Sequence, residues 1–316
     1  MLRRRDFIKF AGGGLAGGTI LKVFDTLSAH GGEGASQHTH GNYVDAHVHI
    51  WTDDFKKYPL AQGFNPQDMA PRVFTSDDIL HYAKPNGVNR VVLVQMSYYG
   101  FDNSYMVDTM RRMPKVFGGI GIVDRDSSDV EAKMHELAQH GVRGFRIVPS
   151  KLPGEPLLEG EGMDRMFRRG AKENLAMCLL INPDVLPAVG RQCEKFPDTP
   201  VVIDHLAHLG MPGPVTEQDM QALCALARYP SVKIKVSAFY AFGEKKPPHL
   251  DAVPVIKRIF EAFGPKRLMW ASDCPFQVQK ETYADSISVV RDRLDFLSPA
   301  DKEWILSRTA QETFFR

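Results

Sequence analysis

Apolar residues in this chain follow two patterns that take turns along most of its length. Short, nearly continuous apolar runs fall at 43–49, 89–95, 115–122, 143–148, 177–181, 201–205, 232–237 and 268–272. Most are rich in β-branched residues, as expected of parallel strands that are covered on both faces and therefore do not alternate. Between them lie segments with helical spacing, such as Val130–His140, Met163–Glu173, Leu186–Phe196, Asp219–Tyr229 and Val253–Phe263. Each is long enough to be the crossover helix that a parallel strand pair requires. Gly141, Pro200, Pro230 and Gly264-Pro265 punctuate the junctions. Eight strands alternating with helices over about 270 residues predict an α/β fold, the (β/α)8 barrel. A doubly wound open sheet would need a glycine-rich phosphate turn after an early strand, and His47-Val48-His49 stands where that turn would fall.

The pattern begins only at Tyr43. Upstream, Arg4-Arg5-Asp6-Phe7-Ile8-Lys9 and the mildly apolar, glycine-rich stretch from Phe10 to Val23 resemble a twin-arginine export signal. Leu27-Ser28-Ala29 is a candidate cleavage site, although Leu is larger than the residue usual at that position. The stretch is too short and too rich in glycine to span a bilayer comfortably. The expectation is a chain handled by the twin-arginine export machinery, with no stable membrane span when mature, and a periplasmic or otherwise exported location. Residues 30–41 form a His/Gly-rich linker; its three histidines could scavenge metal, but a solvated tether is the simpler reading. The expected division is therefore 1–29 signal, 30–41 linker and 42–316 barrel.

The formal charge is +1, and the basic excess sits in residues 1–29; beyond them 34 basic residues face 36 acidic ones. No basic stripe survives, which argues against a nucleic-acid partner and leaves a small-molecule substrate. The four cysteines show no C-x-x-C spacing and do not suggest a disulfide scaffold. Cys274 alone, beside Asp273, is placed at a site edge where a nucleophile could sit.

In barrels of this kind chemistry gathers at the C-terminal ends of the strands. The ends of the apolar runs carry His47 and His49, Gln95 with Ser97, Asp124 with Arg125, Arg146, Asn182, Asp204 with His205, Ser237, and Asp273. On a strand, residues two apart share a face, so His47 and His49 aim two imidazoles at one small volume. That suits a divalent metal or a polarised substrate. Asp273 could accept a proton or bind a metal, or could simply cap the segment after Pro275. His205 could be a third ligand, could polarise a carbonyl, or could be a satisfied core histidine. Arg146 and Arg125 can fork onto a substrate carboxylate, or pair with acids such as Asp124 and Asp126. Ser97, Tyr98 and Asn182 could add hydrogen bonds to the same ligand. Lys235 reads equally as a buried structural cation paired with an acid. Trp51, Tyr58, Phe64 and Phe74, together with segment 238–250, are expected to form much of the pocket wall.

Taken together, Asp45-Ala-His47-Val-His49-Ile-Trp51, Gly141-Val-Arg143-Gly-Phe-Arg146, Val202-Ile-Asp204-His205, Lys235-Val-Ser237 and Phe263-Gly264-Pro-Lys-Arg267-Leu-Met-Trp-Ala-Ser272-Asp273-Cys-Pro275 resemble the amidohydrolase superfamily. Within it the chain is most similar to the amidohydrolase-related lactonase group, which includes 2-pyrone-4,6-dicarboxylate lactonases and sugar-acid lactonases. The resemblance covers roughly residues 43–316 and keeps the motif order. It implies a TIM-like barrel of amidohydrolase type that opens a lactone or related ester of a carboxylated substrate. Asp273 would activate water, and His47, His49 and His205 would stabilise the oxyanion. Metal-dependent members usually carry a Lys or Glu on the fourth strand and a His on the fifth; here those places hold Arg146 and Asn182, which argues against a two-metal centre. One zinc or manganese held by His47, His49 and Asp273, with His205 as a further ligand, and a metal-free mechanism on the same histidines both stay open. So do two rival functions, a metal-dependent decarboxylase and a non-catalytic periplasmic ligand-binding protein.

Overall fold

In a computed structural model, eight parallel strands pair in sequence order. They are β1 (Tyr43–Val48), β2 (Val88–Val94), β3 (Phe117–Gly121), β4 (Val142–Ile147), β5 (Ala176–Leu179), β6 (Val201–Ile203), β7 (Val232–Val236) and β8 (Leu268–Trp270). Each falls within, or one residue beyond, an apolar run read from the sequence. The structure describes residues 41–149, 158–211 and 213–316, so the expected signal at 1–29 and all but the end of the 30–41 linker lie outside the described residues. Among the described residues no helix is long and apolar enough to cross a membrane.

The crossover helices are α1 (Ser76–Ala83), α2 (Ser104–Arg112), α3 (Val130–Gln139), α4 (Glu161–Glu173), α5 (Leu186–Lys195), α6 (Glu217–Ala225) and α7 (Val253–Phe263). Their starts follow local chemistry. The Thr75 hydroxyl accepts the Asp78 amide at the head of α1, and Thr216 does the same for Asp219 in α6. On α4 the buried residues Met163, Met166, Phe167 and Gly170 recur at helical spacing, which turns one stripe onto the sheet.

Alternation along the strands builds two apolar layers. Val91, Leu93, Phe145, Ile203 and Ile234 point outward into the sheet–helix layer, where burying a side chain such as Phe145 contributes about 1.5–3 kcal/mol. Val44, Ala46, Val92, Val94, Val202 and Met269 point into the barrel. Ala310 and Phe314 of the last helix, Thr309–Phe314, join this inner cluster and plug the barrel from beneath. The inward parity then continues upward into polar residues: Gly144 gives way to Arg146, Val202 to Asp204, Lys233 to Lys235 and Ala271 to Asp273.

Strand β1 obeys this parity only because of a bulge. Asp45 faces Val91 and Val48 faces Leu93, so three steps on β1 match two on β2. Ala46 and His47 both turn inward, and His49 follows. The seam closes just beyond β8. There Cys274 bridges Val48, the Asp273 amide donates to His47 O at 3.0 Å, and the His49 amide donates to Cys274 O at 2.8 Å.

Candidate active site

At the C-terminal mouth the side chains of His47, His49, Arg146, Asp204, His205, Lys235 and Asp273 come together, none more than 9% exposed. Asp204 is the electrostatic centre of the group. Its Oδ2 accepts from Arg146 Nη2 at 3.0 Å, and Lys235 Nζ lies 2.9 Å from its Oδ1. Burial alone would push this carboxyl up, but Lys235, His47 and Arg146 together hold it well below the usual carboxylate range. Two buried cations thus share one buried anion.

Asp273 is the second carboxylate, and its surroundings are the reverse. Its Oδ1 lies 3.6 Å from His47 Nε2, 3.6 Å from His49 Nε2 and 3.7 Å from His205 Nε2. These distances exceed a hydrogen bond, so the three imidazoles surround the oxygen without satisfying it. Burial raises the Asp273 carboxyl to about 7, and a hydrogen bond from Tyr240 Oη to Oδ2 at 2.7 Å works against that rise. The histidines are neutral for the same reason. Burial carries His47 and His205 well below their ordinary value and takes His49 to about 3, with Arg146 adding to the last shift.

Each group is held from behind. His49 Nδ1 donates to Val94 O at 2.9 Å, and His205 Nδ1 lies 2.9 Å from Ser237 Oγ. Asp45, on the outward face of β1, ties the seam: its carboxylate accepts the amides of Ser272 at 2.9 Å and His47 at 3.2 Å and the Tyr283 hydroxyl at 2.8 Å. The backbone is strained where it delivers the site residues. His205, Leu206, Ala207 and His208 all have positive φ, from 51° to 57°, and Asp273 has φ 67°. Non-glycine residues there cost about 1–2 kcal/mol each.

The remaining expected site residues are spread more widely. Arg125 lies with its Nε 3.8 Å from Asp126. Asn182 Oδ1 accepts from His208 Nδ1 at 2.9 Å, beyond β5 and β6. Ser97 opens a short turn after β2. Tyr98 belongs to that turn, donates its hydroxyl to Asp68 O at 3.0 Å and packs its ring edge-on to Trp51 and Phe64. The aromatic wall reaches the site through Phe276, whose ring meets both Trp51 and His49. Tyr58 turns away, with its hydroxyl on Asp108. Cys274 is fully buried, and burial pushes its thiol well up, so it packs rather than attacks.

Sequence reasoning missed Tyr240 as a partner of Asp273 and left Asp204 without an assigned role, whereas Lys235 is the buried cation paired with an acid that one of its readings described. For Lys235 a signal existed: in Val232-Lys-Ile-Lys235-Val236 it shares the inward parity of the barrel, where a lysine must find an acid. Tyr240 lies in segment 238–250, expected in the pocket wall, but nothing in the sequence pairs its hydroxyl with Asp273.

His47, His49 and Asp273 each offer one donor atom, all within 4.8 Å of one another. Two imidazoles and a carboxylate suit zinc or manganese in type and number, and His205 Nε2, 3.7 Å from Asp273 Oδ1, could serve as a further donor. The proton on His49 Nδ1 is spent on a backbone carbonyl, which leaves Nε2 free to ligate.

The same architecture recurs in known proteins. The chain is 28% identical over 241 residues to an L-fucono-1,5-lactonase of Burkholderia ambifaria, covering 73% of this chain and 80% of the relative. It is 26% identical over 235 residues to a 4-sulfomuconolactone hydrolase of Rhizobium radiobacter, covering 73% and 75%. An amidohydrolase from Burkholderia multivorans, crystallised with bound zinc, superposes with a TM-score of 0.72 at 20% identity over 87% of this chain and 99% of that one. The model of the amidohydrolase family designated Amidohydro_2 matches residues 44–316, nearly the whole of the barrel described above, and the chain therefore belongs to that family.

Proposed function

We propose that this protein is a hydrolase that opens the ring ester of a carboxylated lactone, with Asp273 as the base that activates water. The observation that carries this reading is the placement of Asp273 Oδ1 amid three neutral imidazoles, on a carboxyl raised to about 7. A base with that value takes a proton from water readily and is still about half ionised at neutral pH. Two relatives named for lactone substrates support the reaction class.

The chain's own groups divide the work as follows. Asp273 accepts the proton of the attacking water, while Tyr240 holds its other oxygen. His205, whose Nδ1 meets the Ser237 hydroxyl and whose Nε2 faces Asp273, presents its Nε2–H to the oxyanion that develops on the lactone carbonyl. Arg146 has a buried Nε with no protein partner among the described residues, although its Nη2 is bound to Asp204. That free donor is suited to a substrate carboxylate. A zinc or manganese held by His47, His49 and Asp273 would supply Lewis-acid polarisation of the same carbonyl.

The test is a panel of carboxylated and neutral lactones, followed by acid release, with untreated and chelator-treated protein and with Asp273→Asn. Ring opening that is lost in Asp273→Asn supports the reading. Release of carbon dioxide from aromatic acids would replace it with decarboxylation, and tight ligand binding with no product would replace it with a binding protein. We further propose an exported enzyme, on the strength of Arg4-Arg5 and the apolar stretch that follows.

A further inference from the structure

His47 stands between two cations. Lys235 Nζ lies 3.1 Å from its Nδ1, and Arg146 Nη2 lies 3.2 Å from its Nε2. A neutral imidazole has one N–H and one lone pair, so only one of these nitrogens can accept a hydrogen bond. The neighbours decide which. His49 donates from Nδ1 to Val94 O, so its Nε2 carries a lone pair, and that atom lies 3.2 Å from His47 Nε2.

Suppose His47 carries its proton on Nε2. Lys235 then donates to His47 Nδ1, His47 donates to His49 Nε2, and His49 donates to the Val94 carbonyl. Arg146 Nη2 faces an N–H in this arrangement, but it donates to Asp204 Oδ2 at 3.0 Å. Suppose instead that the proton is on Nδ1. Lys235 then opposes an N–H at 3.1 Å, and the lone pairs of His47 and His49 oppose each other at 3.2 Å. The compensation is the Arg146 contact and a distant approach of Nδ1 to Asp204 Oδ1 at 3.5 Å. The first arrangement leaves one conflict and the second leaves two.

We infer that Lys235 is a positioning residue that pins His47 in the Nε2–H form and so holds down the metal affinity of the His47–His49–Asp273 group. A divalent ion there needs the lone pair of His47 on Nε2, the form that Lys235 opposes. Metal-bound histidines ordinarily give their other N–H to a carboxylate or carbonyl. Asp204 Oδ1 is near enough to take that part, but Lys235 lies 2.9 Å from the same oxygen and competes with His47 for it. Without the ammonium, His47 can turn its Nδ1 proton to Asp204 and free Nε2.

Two measurements on the untagged full chain test this, and neither requires a substrate, so they stand or fall apart from the lactone reading. Long-range proton–nitrogen spectra of the histidine-labelled, metal-free protein, with His47 assigned by its loss in His47→Gln, report the tautomer directly. Cobalt(II) titration, followed by visible absorption, compares the unaltered protein with Lys235→Met. The expected results are an Nε2–H His47 in the unaltered protein and cobalt binding tighter by about tenfold or more in Lys235→Met, the size of effect typical of changes around a metal-bound histidine. An Nδ1–H His47 in the unaltered protein, or a folded Lys235→Met that binds cobalt no more tightly, overturns the inference. If Lys235→Met does not fold, the tautomer in the unaltered protein decides alone.

Discussion

Replacing Tyr240 by Phe removes one hydroxyl and tests how Asp273 is tuned. Burial lifts the Asp273 carboxyl to about 7, and the Tyr240 hydrogen bond at 2.7 Å is the largest influence pulling it down. A hydrogen bond to a charged acceptor is worth about 1.5–3 kcal/mol, which corresponds to about one to two pKa units. Without it, the Asp273 carboxyl should titrate near ~8–9. Water activation needs the carboxylate, so activity is present above this pKa and is lost as pH falls through it. At pH 7 the ionised fraction drops from about a half to between ~10% and ~1%, and kcat/KM falls about 5- to 50-fold. The assay is the initial rate of lactone opening from pH 6 to 10, corrected for spontaneous hydrolysis. The acid limb of kcat/KM should move up by about one to two units, and the rate should recover at high pH. A uniform loss at every pH, with the limb in place, would refute the argument and give Tyr240 a role independent of the carboxylate.

Asp273→Asn should lower kcat by about 10²- to 10⁴-fold, the usual contribution of a positioned base, while the circular dichroism and the melting transition stay native. Arg146→Met should raise KM for carboxylated lactones at least about tenfold, the loss of roughly one charge-assisted contact, and should affect neutral lactones much less. Asp45→Ala strands two amides and the Tyr283 hydroxyl in the seam, and urea denaturation should show a loss of about 2–5 kcal/mol. Arg4 and Arg5 changed to Lys should trap the full chain inside the cell, as cell fractionation would show; unchanged export would end the twin-arginine reading.

Much of this molecule was legible in its sequence. The eight apolar runs and the helical spacing between them determined the strand count, the order and the parallel sense. A Val-rich run without alternation must be covered on both faces, and a parallel neighbour needs a crossover helix. The His47/His49 pair and Asp273 were legible as strand ends in that scheme. The tertiary structure alone decided that His47 faces inward, because the bulge at Ala46–His47 is a matter of register between β1 and β2 rather than of local composition. It alone joined Tyr240 to Asp273, and Lys235 to His47 and Asp204. These contacts cross up to 188 residues of chain, and no short-range pattern records them. Periodicity reports which face of an element is buried, whereas the protonation of Asp273 and the tautomer of His47 depend on which distant charges share that burial.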